Sequence, residues 1–591
     1  MFWEGRAFGP SLFFGAALLL LAAALLAGDG YRWGAIALLV VAASANKARL
    51  PKNELTLFVV LFAFWYCVDA TWISPNYTSE AIYRPLVLLA AFVGMATMEP
   101  DRRVALFRAG VALLCGLVLL GLAQHLFAFW HLTRNGLRAA ATFVTPNTFA
   151  TVINLLLLPL AALYLLRGAA RGAYAPALWL FAGLSATGSR GGMLALAFGL
   201  AFLCASLGIK GALEIRWRIF RLLAGFALAW VAVSVALAVL GGTPEVQAVT
   251  SAWTDPGSVA ERFRIYAVAL EIALRKPLLG AGTGMFFNLW EAAKPDFMYD
   301  RVFSFVHNDY LQVWLELGVP GAMLLLGIVG AAARLAWRAG RRARDEATIP
   351  ACGAALAACF AHAVVDFPLY VPFVLLLVGG YLGALASGAG DRVELRRIST
   401  ALSIRSGAVV TPLTKGIAVF AALAWLGQPT FAAAAGLVGL SSLKEGQPGR
   451  AAYWYSVARR LEPRNGAFYW VEGIIWRDQA AQLRDPGLMH RADAFFEEGM
   501  RASPYEKRNF TERARLHMTH RDLLERPASG SEIIAWTSWA MQIEPNFLPN
   551  QVAHARALGF AGRRDDARRL VETMFVRHPE SELVKRLKAE L

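Results

Sequence analysis

Apolar runs alternate with short polar segments for most of the chain. The runs fall near residues 9–27, 33–46, 55–72, 83–98, 104–130, 149–166, 173–187, 191–208, 220–240, 308–334, 351–368, 370–388 and 412–436. Some reach the roughly 20 residues that a helix needs to cross a bilayer, and others are shorter. The runs 173–187 and 191–208 are divided only by Thr187-Gly188-Ser189-Arg190. The pattern predicts an all-α, polytopic helical membrane protein of about 13 spans. The organisation expected is N-terminal transmembrane helices over 1–240, a large outer loop over 241–307, further transmembrane helices over 308–436, and a separate helical domain over 440–591.

Two polar regions break the alternation. The loop 241–307 holds a helical stretch, Ser258 to Leu274, opened by Asp255-Pro256-Gly257-Ser258 as turn and cap. The tail from about Leu440 is polar and helical by period. Glu544-Pro545-Asn546 and His578-Pro579-Glu580 lie 34 residues apart, each ending a helix, and Leu461-Glu462-Pro463-Arg464-Asn465 resembles an earlier copy. Between the first two, Ala553 to Phe560 and Asp565 to Phe575 read as a helix pair joined at Gly562, with Asp565 as cap of the second. This spacing predicts tetratricopeptide-like hairpins, which stack into surfaces that bind a partner or an extended ligand. A helical cap with no partner of its own is the alternative, because fold alone does not give function.

Charge orients the spans. Basic residues gather in every second loop: Lys47, Arg49 and Lys52; Arg102 and Arg103; Arg167 and Arg171; Lys210, Arg216, Arg218 and Arg221; Arg334 to Arg344; Arg392 to Arg405. The positive-inside rule places these loops, and the N-terminus, in the cytoplasm. The loops 28–32, 73–82, 131–148, 187–190 and 241–307, the turn near Pro368 and the tail then face outward, which in a bacterial inner membrane is the periplasm. The net charge of +16 follows from these loops and gives no reason to expect a nucleic-acid partner. With 57% hydrophobic residues and a mean hydropathy of +0.46, a soluble chain of this length would lack polar surface. The five cysteines lie in apolar runs without metal-ligand spacing and read as small core residues. The first apolar run lacks a cleavage pattern and reads as a retained span.

Polar residues then converge on the outer face. Arg190 sits in Gly188-Ser189-Arg190-Gly191-Gly192 between two short apolar runs. A charge at a membrane-embedded turn is costly and tends to be functional, although an interfacial arginine can also simply snorkel. Arg262 and Arg264, two apart on a helix, cannot share one side, so one faces the cavity and the other solvent. His307 opens a span from outside in His307-Asn308-Asp309. Histidine changes charge near neutral pH and can take a proton from a hydroxyl, with Asn308 and Asp309 to orient or polarise it. His362 and Asp366 lie four apart on one helix face, placed to pair with each other or with an arginine. Asn147 starts a span from the loop that also carries Arg134 and Arg138. Arginine forks suit diphosphate oxygens, and a histidine base suits activation of an acceptor hydroxyl. The combination describes transfer of a group away from a diphosphate leaving group, with no metal or other cofactor. At an outer-leaflet site the natural donor is lipid-linked.

These motifs resemble the O-antigen ligase and polymerase superfamily of bacterial membrane glycosyltransferases. The residues that carry the resemblance are Pro146-Asn147, Gly188-Ser189-Arg190-Gly191-Gly192, Arg262-Phe263-Arg264-Ile265-Tyr266 with Pro277-Leu278-Leu279-Gly280-Ala281-Gly282, and His307-Asn308-Asp309-Tyr310-Leu311 with Glu316-Leu317-Gly318 and Gly321. They cover roughly residues 100–390. The resemblance implies a GT-C-like membrane fold, an undecaprenyl-diphosphate-linked glycan donor and metal-independent transfer with inversion. It implies that Arg190 and Arg264 or Arg262 engage the diphosphate. By their position on the outer face, Ser189, Asn147, Arg138, Asn308, Asp309, His362 and Asp366 are candidate substrate contacts, with structural pairing the alternative for His362 and Asp366. His307 would be the base, and Glu316 and Gly318 would pack helices. The acceptor can be a growing glycan, lipid A–core or a periplasmic protein. Protein O-oligosaccharyltransferases of this superfamily commonly carry Glu-Tyr-Pro-Leu where this chain has Asp366-Phe367-Pro368-Leu369, which tilts the reading toward a polysaccharide polymerase. A transporter is the remaining alternative. It calls for repeated halves and broken helices at midplane depth, whereas the polar residues here gather at one surface.

Overall fold

The computed structural model describes residues 49–75, 79–127, 139–143, 145–168, 172–207, 213–239, 257–295, 298, 303–342, 348–388, 392–394, 428 and 431–590. Among these, two compact units separate. One is drawn from Met1–Cys67, Ile82–Ala267 and Val306–Ala424, the other from Val68–Ala81, Val268–Phe305 and Trp425–Leu591.

The first unit is helical, with one short antiparallel ladder. Its elements are β1 (Arg49–Pro51), α1 (Glu54–Val68), α2 (Ser79–Thr97), α3 (Pro100–Phe127), α4 (Pro146–Arg167), α5 (Tyr174–Ala186), α6 (Arg190–Ser206), α7 (Leu213–Val239), the start of α8 (Gly257–Arg275), α10 (Asp309–Arg342), α11 (Thr348–His362), α12 (Pro372–Ser387) and β2 (Arg392–Glu394). The remaining helix of the 257–305 region, α9 (Phe286–Ala293), belongs to the second unit. Leu50 pairs with Val393, so two of the loops expected in the cytoplasm meet in one ladder. Among the described residues, five helices are long and apolar enough to cross a membrane: Glu54–Ile73, Pro100–Ala123, Pro146–Arg167, Ile215–Ala236 and Asp309–Arg338. Shorter apolar helices fill the places of other expected spans. The expected runs 9–27 and 33–46, and most of 412–436, lie outside the described residues, so the count of 13 is not tested.

α4 is the centre of this unit. It is buried along nearly its whole length and packs against α5, α6, α7, α11 and α12. Thr145 caps it by accepting the Thr148 N–H at 3.1 Å, and Pro146 occupies the first turn, where no donor is needed. α10 is not one continuous helix. Gly318 takes φ 67°, breaking the ladder just before Pro320. The break frees the Leu317 carbonyl, which accepts the Trp65 indole N–H at 2.9 Å instead of facing an unsatisfied interior. Gly318 is therefore a conformational requirement rather than the packing residue the motif implied. Glu316 is buried and accepts hydrogen bonds from Gln312 at 3.2 Å and from the Tyr370 hydroxyl at 3.0 Å.

In the second unit, segments distant in sequence are tied together by buried polar bonds. Asp69, in the turn that continues α1, accepts the Thr283 N–H at 2.6 Å and the Thr283 hydroxyl. Ser74 donates to the Thr283 carbonyl at 2.8 Å. Gly282, at φ +105°, must be glycine, since a Cβ there would come within 2.6 Å of the Ser74 backbone. The tail is a chain of helices: α13 (Phe431–Lys444), α14 (Pro448–Leu461), α15 (Gly466–Leu483), α16 (Pro486–Ala502), α17 (Lys507–Thr519), α18 (Gly530–Ile543), α19 (Leu548–Phe560), α20 (Arg564–Arg577) and α21 (Glu582–Glu590). From α14 onward consecutive members pack on each other, and α9 packs on α18. Asn465 and Asp485 cap α15 and α16, and Ser529 with Glu532 forms a capping box on α18. Gly562 makes the expected turn between α19 and α20 at φ +81°. Asp565 does not cap α20: the N-cap position is Arg563, without a side-chain cap bond, and Asp565 lies inside the first turn. There its charge still favours the positive end of the helix. The expected loop helix Ser258–Leu274 is α8, one residue longer at each end.

Candidate active site

Five elements of the first unit build the site, α4, α6, α8, α10 and α11, and α4 supplies its floor. Asn147, Thr151 and Asn154 follow at helical spacing, so they share one face. Thr151 donates to the Asn147 carbonyl at 3.1 Å and lies 2.8 Å from His362 Nδ1. Asn154 donates to the Gly192 carbonyl at 2.7 Å, fixing the start of α6. That start is capped by Ser189, which is buried and accepts the Gly192 N–H at 3.1 Å. Arg190 is the first residue of α6, half-buried. Gly191 beside it lies against His362: an added Cβ would sit 2.9 Å from His362 Nε2. The glycine motif thus brings the Arg190 backbone close to the histidine on α11.

His307 stands before α10 at φ +59°, a left-handed conformation that costs a non-glycine residue about 1–3 kcal/mol. The surroundings hold it there. The Tyr266 hydroxyl donates to the His307 carbonyl at 2.7 Å, and Gln312 Oε1 accepts the Val306 N–H at 2.9 Å. The imidazole Nδ1 lies 3.1 Å from Asp366 Oδ1, with the ring edge-to-face on Phe367 at 5.0 Å between centroids. Asp366 also accepts the Phe367 N–H at 3.0 Å, and its other oxygen lies 3.8 Å from His362 Nε2. The side chain of His307 keeps 23% exposure while that of Asp366 keeps 6%, so the histidine is the member of the pair that a substrate can reach.

α11 ends at His362, so the His362–Asp366 pairing expected on one helix face is made by the turn that follows. The carboxylate that meets His307 is Asp366. Asn308 instead caps α10 by accepting the Leu311 N–H at 3.0 Å. Asp309 is fully buried; it accepts the Leu369 N–H at 2.8 Å through one oxygen, and its own N–H donates to the Ala363 carbonyl. Both hold the backbone around His307.

The two loop arginines separate. Arg262 and Tyr266 are four apart on α8 and share a side. Arg262 is half-buried and within electrostatic reach of Asp366, His362 and the Tyr266 hydroxyl. Arg264 is exposed. Burial, reinforced by Asp366 and opposed by Arg262, raises the Tyr266 pKa, so the phenol stays protonated and continues to donate. Arg138 lies outside the described residues. Sequence reasoning missed Thr151, Asn154, Tyr266 and Gln312. The polar i, i+4, i+7 stripe in an otherwise apolar span was the signal available for the first two.

Helices long and apolar enough to cross a membrane thus carry a histidine–aspartate pair with an arginine within electrostatic reach. Residues 175–326 match the family model described as O-Antigen ligase, and the likeness is to that segment of the chain. The matched segment contains Arg190, Arg262, Arg264, His307, Glu316 and Gly318, while Asn147, His362 and Asp366 lie outside it. No curated protein matches the chain.

Proposed function

We propose that the chain transfers a glycan from an undecaprenyl-diphosphate donor to an acceptor hydroxyl at the periplasmic face of the inner membrane, as a polysaccharide polymerase. The observation that carries the reading is the His307–Asp366 contact at 3.1 Å. A carboxylate on Nδ1 holds that nitrogen as the N–H and leaves Nε2 with the free lone pair. Nε2 takes the proton of the acceptor hydroxyl as its oxygen bonds to the anomeric carbon. The bond from that carbon to the diphosphate oxygen breaks on the opposite face, giving inversion. Arg190 and Arg262 stabilise the charge that gathers on the departing diphosphate. Asp366 keeps its charge and stabilises the imidazolium. This scheme needs no metal.

The topology has support from both units. Basic segments expected in the cytoplasm pair as β1 and β2. Three segments expected outside, the turn after α1, the loop with α9 and the tail, form one compact unit. We read the consecutively packed helices of the tail as tetratricopeptide-like hairpins that give the growing glycan or another partner a surface.

The test is transfer in vitro from a lipid-diphosphate-linked oligosaccharide, with EDTA present. Longer lipid-linked glycans, formed without added acceptor, are the product expected of a polymerase. Glycan found only on an added periplasmic protein would make the chain a protein oligosaccharyltransferase, and product only with lipid A–core a ligase. A protein with intact donor binding and no product on any acceptor would sink the reading.

A further inference from the structure

The second unit contains a cavity that the transfer chemistry does not use. Its volume is about 420 Å³, and it lies between α9 and the turn that leads into α17. Aromatic side chains stand on its wall: Phe287, Tyr505 and Phe547. The polar groups are Asn288, Ser503, Glu506, Lys507 and Arg508. Asn288 is only 8% exposed, and its Nδ2 has no hydrogen-bond partner among the described residues. An unpaired buried amide donor beside a cavity is costly, and a turn of the Asn288 side chain would bring it to a ligand or water there.

The charges are already paired. Lys507 forms an ion pair with Glu544 and lies 4.5 Å over the Phe547 ring. Arg508 binds Glu506 through two contacts of 2.6 Å and stacks on Trp470. Free cations would favour a phosphate or an anionic sugar. Cations matched by carboxylates present donors and acceptors side by side with little net charge. Hydroxyl groups, which donate and accept at once, fit that arrangement. Aromatic walls give apolar contact to the C–H faces of a pyranose ring, as apolar linings with a few placed polar groups do in small-molecule sites.

We propose that this cavity is a binding subsite for a neutral saccharide, and that it holds part of the glycan handled by the protein, with Asn288 and Phe547 as its specificity-determining contacts. The identity of the ligand as the protein's own glycan rests on the transferase reading; the subsite itself does not.

The experiment is direct binding to the full chain in detergent micelles, without donor and without turnover. The probes are neutral glucose, mannose, galactose and rhamnose oligosaccharides, with inorganic diphosphate and a hexuronate oligomer as contrasts. Binding of at least one neutral oligosaccharide is expected. Phe547→Ala, at a half-exposed position, should weaken it about tenfold. Asn288→Asp, which keeps volume but removes the donor, should do the same. The melting temperature of both variants is measured alongside. No neutral saccharide bound, binding indifferent to both substitutions, or selective binding of diphosphate or hexuronate would each overturn the proposal. Saccharide binding in a protein without transfer activity would sink the transferase reading and leave the subsite standing.

Discussion

The ends of α10 and α11 and the C-terminal helices use charge in opposite ways. Around His307 the charged groups are buried, few and incompletely satisfied: Asp309 Oδ1 and His362 Nε2 have no hydrogen-bond partner, and the His307 backbone is held at positive φ. In the tail, charges form ion pairs and helix caps. Arg513 bridges Asp493 and Glu497, His517 meets Asp493 at 2.9 Å, and Arg477 joins Glu512. Local rules that agree with one another specify a fold, and places that break them while the surroundings hold firm are where function is expected. The first region departs from those rules around one histidine; the tail departs from them at scattered places, such as Asn509 Oδ1 and Arg484 at φ 52°, while most of its charges are paired. Substitutions near His307 should therefore change rate more than stability, and substitutions in the tail the reverse.

The largest effect is expected at His307. His307→Ala should lower transfer by roughly 10³-fold or more, within the range for loss of a general base, with a melting temperature close to wild type. A variant that loses rate and fold together would erase the contrast between the regions. Asp366→Asn should cost about 10²- to 10⁴-fold, because the amide no longer secures the tautomer. Steady-state rates with saturating donor check both.

The loop arginines sharpen the contrast inside α8. Arg262→Lys should lower transfer about 10- to 100-fold, since a point charge cannot reproduce a fork on diphosphate. Arg264→Lys, at an exposed position, should stay within about threefold. Equal losses at the two positions would mean that α8 presents a different side to substrate.

The smallest effect on rate belongs to the tail. Asp493 is mostly buried; burial alone would raise its pKa, but hydrogen bonds from His517 and Arg513 outweigh that and hold it at about 2 against an ordinary 3.8. A depressed carboxyl stabilises the fold above its unfolded pKa, and that contribution fades as pH falls from about 4 toward 2. The shift corresponds to about 2 kcal/mol. Asp493→Asn should therefore melt lower than wild type at pH 6, with the gap narrowing by pH 2 and transfer at pH 7 little changed. A gap that persists at pH 2 would assign the loss to packing.

Much of the frame was legible in the chain. Apolar runs, the loop helix near Ser258 and the joint at Gly562 all follow from period and turn residues. What was not legible depends on contacts between distant segments. Asp366 meets a histidine 59 residues away, while Asn308 and Asp309, adjacent to it in sequence, serve the backbone. Asp69 finds Thr283 across 214 residues. The role of Gly318 needed its dihedral angle, since a Leu-Gly-Val-Pro stretch reads equally as packing or as a break. The choice between Arg262 and Arg264 needed the side of α8 that carries Tyr266.

The measurement that tests the central claim most directly is transfer from a lipid-diphosphate-linked oligosaccharide by wild type and His307→Ala, side by side, with folding of the variant verified by its melting temperature. Product is expected from wild type and essentially none from a folded His307→Ala. Turnover by that variant at a rate near wild type would contradict it, removing His307 as the base and with it the role assigned to Asp366.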